Sequence, residues 1–382
     1  MSDYFVILTG SKNNAGDYLI KHRAIALLDA HRPDRDIIDF NAWEAFDSEK
    51  LEIVNNSKAL ILLGGPALQK NMYPQIYPLT ANLDNIRVPV VMMGTGWKSY
   101  SLDWNATHEY RLSDLTHKLL KKIEHSGFLS SVRDYQTLNM LNSSGYKNIL
   151  MTGCPAYYDL ISVDNKFKMT ESIKTVAFSL GVSFIDSPSM QTQMKSIILA
   201  LRDKFSASDF HVVFHHSLDK AHFLKTHGST RRHVNAHQKF AKWLSSVGVS
   251  FIDISGSAEG LIEFYSGVDI HIGYRVHAHI FMNSIGKISV LIAEDARAKG
   301  TQTVIGGMVV NGYKSFRSNQ VSRVANRIIE KYDRYKSNQY TLMDVLQFID
   351  YEITTKGQRS TMSRLSIQNN YETMQKFLKS LP

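Results

Sequence analysis

The sequence predicts an α/β protein of two Rossmann-like domains facing a central cleft. Three observations predict it. The chain has 382 residues, more than one hydrophobic core ordinarily supports. Short, almost continuously apolar runs alternate with amphipathic helical segments, the pattern of parallel strands covered on both faces. This alternation occurs twice, on either side of the polar, aperiodic stretch 163–172, VDNKFKMTES. The first domain is therefore set at 1–165, the second at 172–312, and a helical segment at 313–382.

In the first half strands are expected at 4–8, 37–39, 59–63, 88–93, 128–132 and 149–151, with helices between them, including 17–30 and 107–125. The second half repeats the pattern with strands at 175–179, 209–215, 250–254, 268–272 and 288–292. Its helices are expected at 189–204, 233–246, 258–266 and 279–286. Beyond Gly312 the apolar spacing is helical over 320–335, 341–352 and 368–378, in helices expected to cross back onto the first domain.

Hydrophobic content of 43% and charged content of 21% are ordinary for a globular protein. No apolar run reaches the roughly 20 residues of a bilayer span. The first residues lack the basic start and long apolar stretch of a signal peptide, so a cytoplasmic protein is expected. The single cysteine, Cys154, excludes an intrachain disulfide framework. The net charge of +9 is dispersed along the chain. It favours attraction to an anionic substrate, or to anionic lipids and lipid-linked pyrophosphates at the inner membrane face, over nucleic acid. No nucleic-acid-binding motif accompanies it.

The densest chemistry lies in 271–300, HIGYRVHAHIFMNSIGKISVLIAEDARAKG. It reads as strand, turn, apolar helix, second strand and charged loop. Arg275 and His277 then sit at the carboxyl end of a strand and the start of a helix, where unbonded backbone N–H groups and the helix dipole favour an anion. In an extended turn both side chains face one side, and a histidine there is a titratable group near neutral pH. Arg297, in Glu294-Asp295-Ala296-Arg297 after the next strand, is expected beside them. The bland reading of each alone is a salt bridge or a turn residue.

Other strand ends add candidates. The loop Gly10 to Asp17 can hold phosphate on its backbone amides, but its glycine spacing is neither a P-loop nor a dinucleotide fingerprint. Asp17 is a helix cap or a carboxylate at the cleft. Gly64-Gly65-Pro66 and Gly94-Thr95-Gly96-Trp97 are glycine turns, with Trp97 either a sugar platform or simple packing. Arg133 suits a phosphate or carboxylate, or pairs with Asp134. His215 or His216, at a strand end, can contact an anion in the cleft. His233 and His237 lack the further ligands a zinc site needs, so no metal is expected.

These residues resemble the polysaccharide pyruvyl transferase family. The resemblance runs from Gly10 to about Gly306. It is carried by Asn14-Ala15-Gly16-Asp17-Tyr18-Leu19-Ile20, by Gly64-Gly65, and by Ser131-Val132-Arg133-Asp134 with Leu138 and Gly145. Its strongest part is Gly273-Tyr274-Arg275-Val276-His277-Ala278, followed by Gly286 and Asp295-Ala296-Arg297-Ala298-Lys299-Gly300. The chain departs from the family at Pro66, at Cys154-Pro155 and at Arg297, where a third glycine, Asp-Pro and lysine are common.

The resemblance implies a GT-B-like fold and transfer of pyruvate from phosphoenolpyruvate to two hydroxyls of a sugar, giving a cyclic ketal in surface polysaccharide. It implies a sugar or lipid-linked oligosaccharide acceptor on the first domain and the donor on the second. Arg275, Val276, Arg133, Arg297, Asn14, Gly16, Gly65 and His215 are the expected binding residues. His277 is the expected general acid, in its cationic form, and Asp17 a base or acceptor ligand. The chemistry needs no metal or organic cofactor. The alternative is a GT-B glycosyltransferase using a nucleotide sugar, with Glu294 or Asp295 on the ribose.

Overall fold

The computed structural model describes residues 3–10, 14–99, 101–183, 185–227, 231–314 and 336–382. The first sheet is formed by β1 (Tyr4–Thr9), β2 (Asp36–Asn41), β3 (Ala59–Leu68), β4 (Val90–Trp97), β5 (Ser130–Val132) and β6 (Ile149–Met151). Their order is β2-β1-β3-β4-β5-β6, every pair parallel. The helices between them are α1 (Ala15–His31), α2 (Ser48–Asn56), α3 (Ala106–Glu109), α4 (Asp114–Glu124) and α5 (Tyr135–Ser143). β4 is buried along its whole length, which is why its sequence shows no alternation.

The second sheet contains β7 (Thr175–Ser179), β8 (Asp209–Phe214), β9 (Ser250–Asp253), β10 (Ile270–Gly273), β11 (Ile288–Ala293) and β12 (Met308–Asn311). Its order, β12-β11-β10-β7-β8-β9, is again wholly parallel. With β7 counted as first, this is the 3-2-1-4-5-6 order of dinucleotide-binding domains. Its helices are α6 (Pro188–Lys204), α7 (Lys220–His227), α8 (Arg231–Ser246), α9 (Ala258–Ser266), α10 (Val276–Ser284) and α11 (Ala296–Ile305). The fold is thus two six-stranded parallel α/β units, the GT-B-like architecture expected.

The halves are packed together. α1 lies against α9 and α10, and α5 against α11. The long helix Gln358–Ser380 contacts α1, α10 and α11, and its Met374, Phe377 and Leu378 join the core of the first sheet. Arg32 donates to the carbonyls of Leu381 and Pro382. The preceding helix, Thr341–Thr354, instead packs Val345 and Ile349 into the core of the second sheet.

Four expectations need correction. The helix expected at 107–125 is two, because Ser113 caps a fresh start by accepting from Thr116 N–H. α10 begins at Val276, not at 279, so His277 is in a helical first turn and not in an extended turn. The charged loop after β11 is α11, capped by Asp295, whose side chain accepts from Arg297 N–H at 2.9 Å. β12 is an additional strand. The helix expected at 320–335 lies outside the described residues.

Candidate active site

In a parallel sheet ligands bind beyond the carboxyl ends of the strands, where the chain order reverses. The first sheet reverses between β1 and β3, and the second between β7 and β10. Asn14 caps α1 after β1, Gly16 and Asp17 lie in its first turn, and Gly65 lies in the carboxyl-terminal half of β3. After β10, Arg275 caps α10, and Val276 and His277 open its first turn. The two reversal points meet across the interface, where the ring of His277 lies against Gly16. A Cβ built on Gly16 would come within 2.1 Å of the His277 Nδ1, so this close approach requires glycine.

Arg275 is itself the N-cap of α10, in extended conformation, and its side chain does not cap the helix. The amides of the first turn thus have no capping side chain, which suits them to an anion. Arg275 is 7% exposed. It donates to Glu294 Oε1 at 3.4 Å, to Asn14 Oδ1 at 3.4 Å and to His216 Nε2 at 3.0 Å. Glu294 also accepts from the amides of Val182 and Ser183 at 3.2 and 3.3 Å.

Beneath the turn runs a buried polar chain. Ser179 Oγ accepts Arg275 N–H at 3.1 Å and lies 2.8 Å from His271 Nε2. His271 Nδ1 is 2.7 Å from Ser289 Oγ, which is 2.7 Å from His279 Nδ1. One proton arrangement gives every atom a complementary partner: Ser179 donates to His271, His271 donates from Nδ1 to Ser289, and Ser289 donates to His279. Burial keeps both histidines neutral, His279 with a pKa pushed down to about 3. The chain ties the backbone of Arg275 to three strands.

Arg297 pairs with Asp295 at 2.6 Å and with Glu294 at 3.5 Å. Arg133 donates to Asp134 Oδ2 at 3.2 Å and to the Trp97 carbonyl at 3.0 Å. Asp134 in turn caps α5 through Thr137 N–H and abuts Gly300 of the other half, where an added Cβ would come within 2.7 Å of Oδ2. Two buried arginines and the half-buried Arg297 are therefore oriented by three buried carboxylates. Such pairs fix geometry more than they stabilise the fold.

The electrostatics corrects the expected cationic histidine. Burial, and then the charges of Arg297, Arg133 and Arg275, holds His277 well below the usual histidine pKa, which favours its neutral form. Asp17 keeps part of its surface open to the cleft. Burial raises its carboxyl above the usual range, against the pull of Arg297, the Asn14 hydrogen bond, Arg275 and Arg133. The cap of α1 is Asn14, not Asp17: Asn14 Oδ1 accepts from Gly16 N–H at 3.2 Å, and its Nδ2 donates to Asp17 Oδ2 at 3.2 Å.

Beside Asp17 opens a cavity of about 430 Å³ between the loops after β1, β2 and β3. Trp43, Lys98 and Arg297 border it, with Leu63, Ile76 and Tyr77 on its apolar side. Gly65, at φ +79°, forms part of the lip; its backbone demands glycine although a Cβ would meet nothing. Burial and the nearby Arg297 lower the Lys98 pKa.

Two expected residues are elsewhere. His215 is turned away from Arg275 onto the Tyr265 hydroxyl, at 2.8 Å, and is buried; His216 makes the arginine contact. Trp97 is fully buried against Tyr110 and cannot be a platform. Sequence reasoning missed Trp43, Ser179 and His271. Trp43 had a signal, since it lies two residues past the carboxyl end of β2 in the same edge as Asp17. No cluster of three or more potential metal ligands exists among the described residues, and no described helix is long and apolar enough to cross a membrane.

The geometry defines a two-domain α/β protein that gathers arginines, a histidine and a carboxylate between opposed sheet edges. Comparison of the sequence with family models finds polysaccharide pyruvyl transferase over residues 14–281, more than half of the chain. The chain belongs to the polysaccharide pyruvyl transferase family, and so among transferases. No curated protein matches it.

Among solved structures, it is similar to the UDP-GlcNAc 2-epimerase of Neisseria meningitidis bound to UDP-GlcNAc: 10% identity, TM-score 0.49, 98% of this chain and 100% of that one. It is also similar to a putative UDP-N-acetylglucosamine 2-epimerase of Listeria monocytogenes: 10% identity, TM-score 0.48, 95% and 91%. An uncharacterised protein of Klebsiella pneumoniae matches at 14% identity and TM-score 0.42, over 81% and 93%. At these values no activity or ligand carries over.

Proposed function

We propose that the protein transfers pyruvate from phosphoenolpyruvate to two hydroxyls of a sugar, forming a cyclic ketal on a precursor of surface polysaccharide. The observation that supports it best is Arg275-Val276-His277 at the uncapped start of α10, facing Asp17. A donor bearing both phosphate and carboxylate suits the Arg275 guanidinium, the first amides of α10, and Arg133 and Arg297. We place the reaction in the cytoplasm, where this donor is available, with a lipid-linked acceptor reachable at the inner membrane face.

His277 delivers a proton to C3 of the donor, turning the vinyl carbon into a methyl group and C2 into an electrophile. The first sugar hydroxyl attacks C2 and loses its proton, to Asp17 in this reading. The C2–O bond to phosphate then breaks, the arginines stabilising the departing dianion. The second hydroxyl adds to C2 and its proton leaves with phosphate. Atoms balance as donor plus diol giving ketal plus inorganic phosphate. Burial and the three arginines favour neutral His277; the donor's negative charge offsets the arginines and lets the ring hold the proton it delivers.

A nucleotide-sugar reading needs an available acid for the ribose. Glu294 and Asp295 are both buried and engaged by arginines and amides, which favours pyruvyl transfer. Thermal stabilisation by phosphoenolpyruvate, set beside UDP, GDP and CMP, tests the choice. A rise in melting temperature with phosphoenolpyruvate alone is expected; a rise with a nucleotide alone overturns it.

A further inference from the structure

The cavity at the first sheet's reversal point enters the steps above only at its Asp17 edge. Its remaining walls are unlike one another. Trp43 forms one side and is 36% exposed. Its Nε1–H donates to the Gly10 carbonyl at 3.0 Å. The indole's polar hydrogen is thus engaged by the protein, and what the side chain offers the cavity is aromatic carbon. Leu63 and Tyr77 line the cavity as well, and the Tyr77 hydroxyl is turned away to donate to the Leu63 carbonyl at 2.9 Å. Asn14 and Asp17 stand together at one border, Asn14 accepting from Arg275, and Thr9, Lys21, Gln69, Lys98 and Arg297 are the other polar side chains of the lining.

An aromatic and apolar wall with a rim of carboxylate, amide and cationic hydrogen-bonding groups suits a ligand that is apolar on one face and rich in hydroxyls at its edge. The volume is in the range of small-molecule sites. We propose that this cavity is the acceptor subsite and takes one hexopyranose residue, its ring C–H face on Trp43 and a neighbouring pair of hydroxyls turned to Asp17. The assignment of Trp43 as the specificity platform deepens the pyruvyl-transfer reading and rests on it for the role of the hydroxyls. A flat nucleobase is the rival occupant.

The test titrates the full-length protein with methyl glycosides of glucose, galactose, mannose and N-acetylglucosamine, in both anomers, and with UMP. Phosphoenolpyruvate is titrated into the same samples. At least one glycoside is expected to bind. Trp43→Ala should weaken it about tenfold, on the scale of an aromatic contact, and Trp43→Phe much less, with donor affinity unchanged in both. In the unaltered chain the glycoside should slow N-bromosuccinimide oxidation of Trp43 but not of Trp104, which is also exposed; this arm needs no variant to fold. Absence of binding by every glycoside, equal binding by the Ala variant, or Trp43-dependent binding of UMP overturns the proposal. Glycoside binding without phosphoenolpyruvate binding would instead overturn the donor reading and leave the subsite standing.

Discussion

The two reversal points are built on opposite plans. At β7/β10 everything is packed: Arg275, Glu294 and His277 are nearly sealed, each cation faces a carboxylate, and the buried serine–histidine chain anchors the backbone. At β1/β3 there is space, a glycine at positive φ, an aromatic wall and one carboxylate, Asp17, that keeps part of its surface open. The first plan suits a small invariant ligand whose charges must be met at fixed points. The second suits a ligand whose identity can vary. In the proposed reading, stiffness sits where the chemistry is common, and room sits where recognition differs.

The contrast can be broken most severely at His277. His277→Ala should lower turnover by roughly 10³-fold, within the range for proton transfer, while phosphoenolpyruvate still raises the melting temperature; unchanged turnover removes His277 from the mechanism. Arg275→Ala should cost about 3 kcal/mol of stability because Glu294 is left buried without its partner. The double variant Arg275→Ala, Glu294→Gln should recover stability in denaturant titration but not donor affinity. Recovery of both would make the arginine structural only.

Gly16→Ala joins the two plans at one point. Alanine favours a helix, yet its methyl occupies the place of the His277 ring. Turnover should fall at least about tenfold, on the scale of a misplaced catalytic group, with a far smaller change in melting temperature; a variant of full activity would show the ring free to move.

The sign of the pH response sharpens the comparison further. His277 is below its ordinary pKa in the empty site, and a donor anion raises it, so the bound state holds more protons. Donor affinity should therefore strengthen as pH falls from 8 towards 6, beyond any change shown by His277→Gln. Calorimetry in buffers of different ionisation enthalpy should register proton uptake. The smallest effect is expected at Asp17. Its carboxyl is raised by burial, a contribution favouring the fold at low pH and lost as pH rises. Asp17→Asn should consequently stabilise the protein at neutral pH, by about 0.5 kcal/mol given its partial exposure, while turnover falls. A lower melting temperature would contradict that origin of the shift.

The strands were readable because burial on both faces leaves unbroken apolar runs, and their ends located the turns that carry Asp17, Arg133 and Arg275. The start of α10 was not readable. Every residue from Val276 to Ser284 is buried, so no polar stripe marks the helix, and its cap is an arginine rather than Ser, Thr, Asp or Asn. α11 was hidden by Gly300 and two threonines in a weakly amphipathic run. His215 and His216 could not be told apart by position, because which one meets Arg275 depends on the turn after β8. Likewise Trp97 and Trp43 both lie at the carboxyl ends of strands, the first as the last residue of β4 and packed against Tyr110, the second two residues past β2.

Gly16 leaves room for His277, and Gly300 leaves room for Asp134, so each half of the molecule is the mould for a working side chain of the other. The halves are consequently not interchangeable parts. A recombinant joining one half to that of a relative would inherit a functional centre only if both moulds matched their castings. If the cavity beside Trp43 takes the acceptor as proposed, new acceptor preferences are most readily gained by local drift in the segments around Trp43 and Gly65, and not by the shuffling of whole domains.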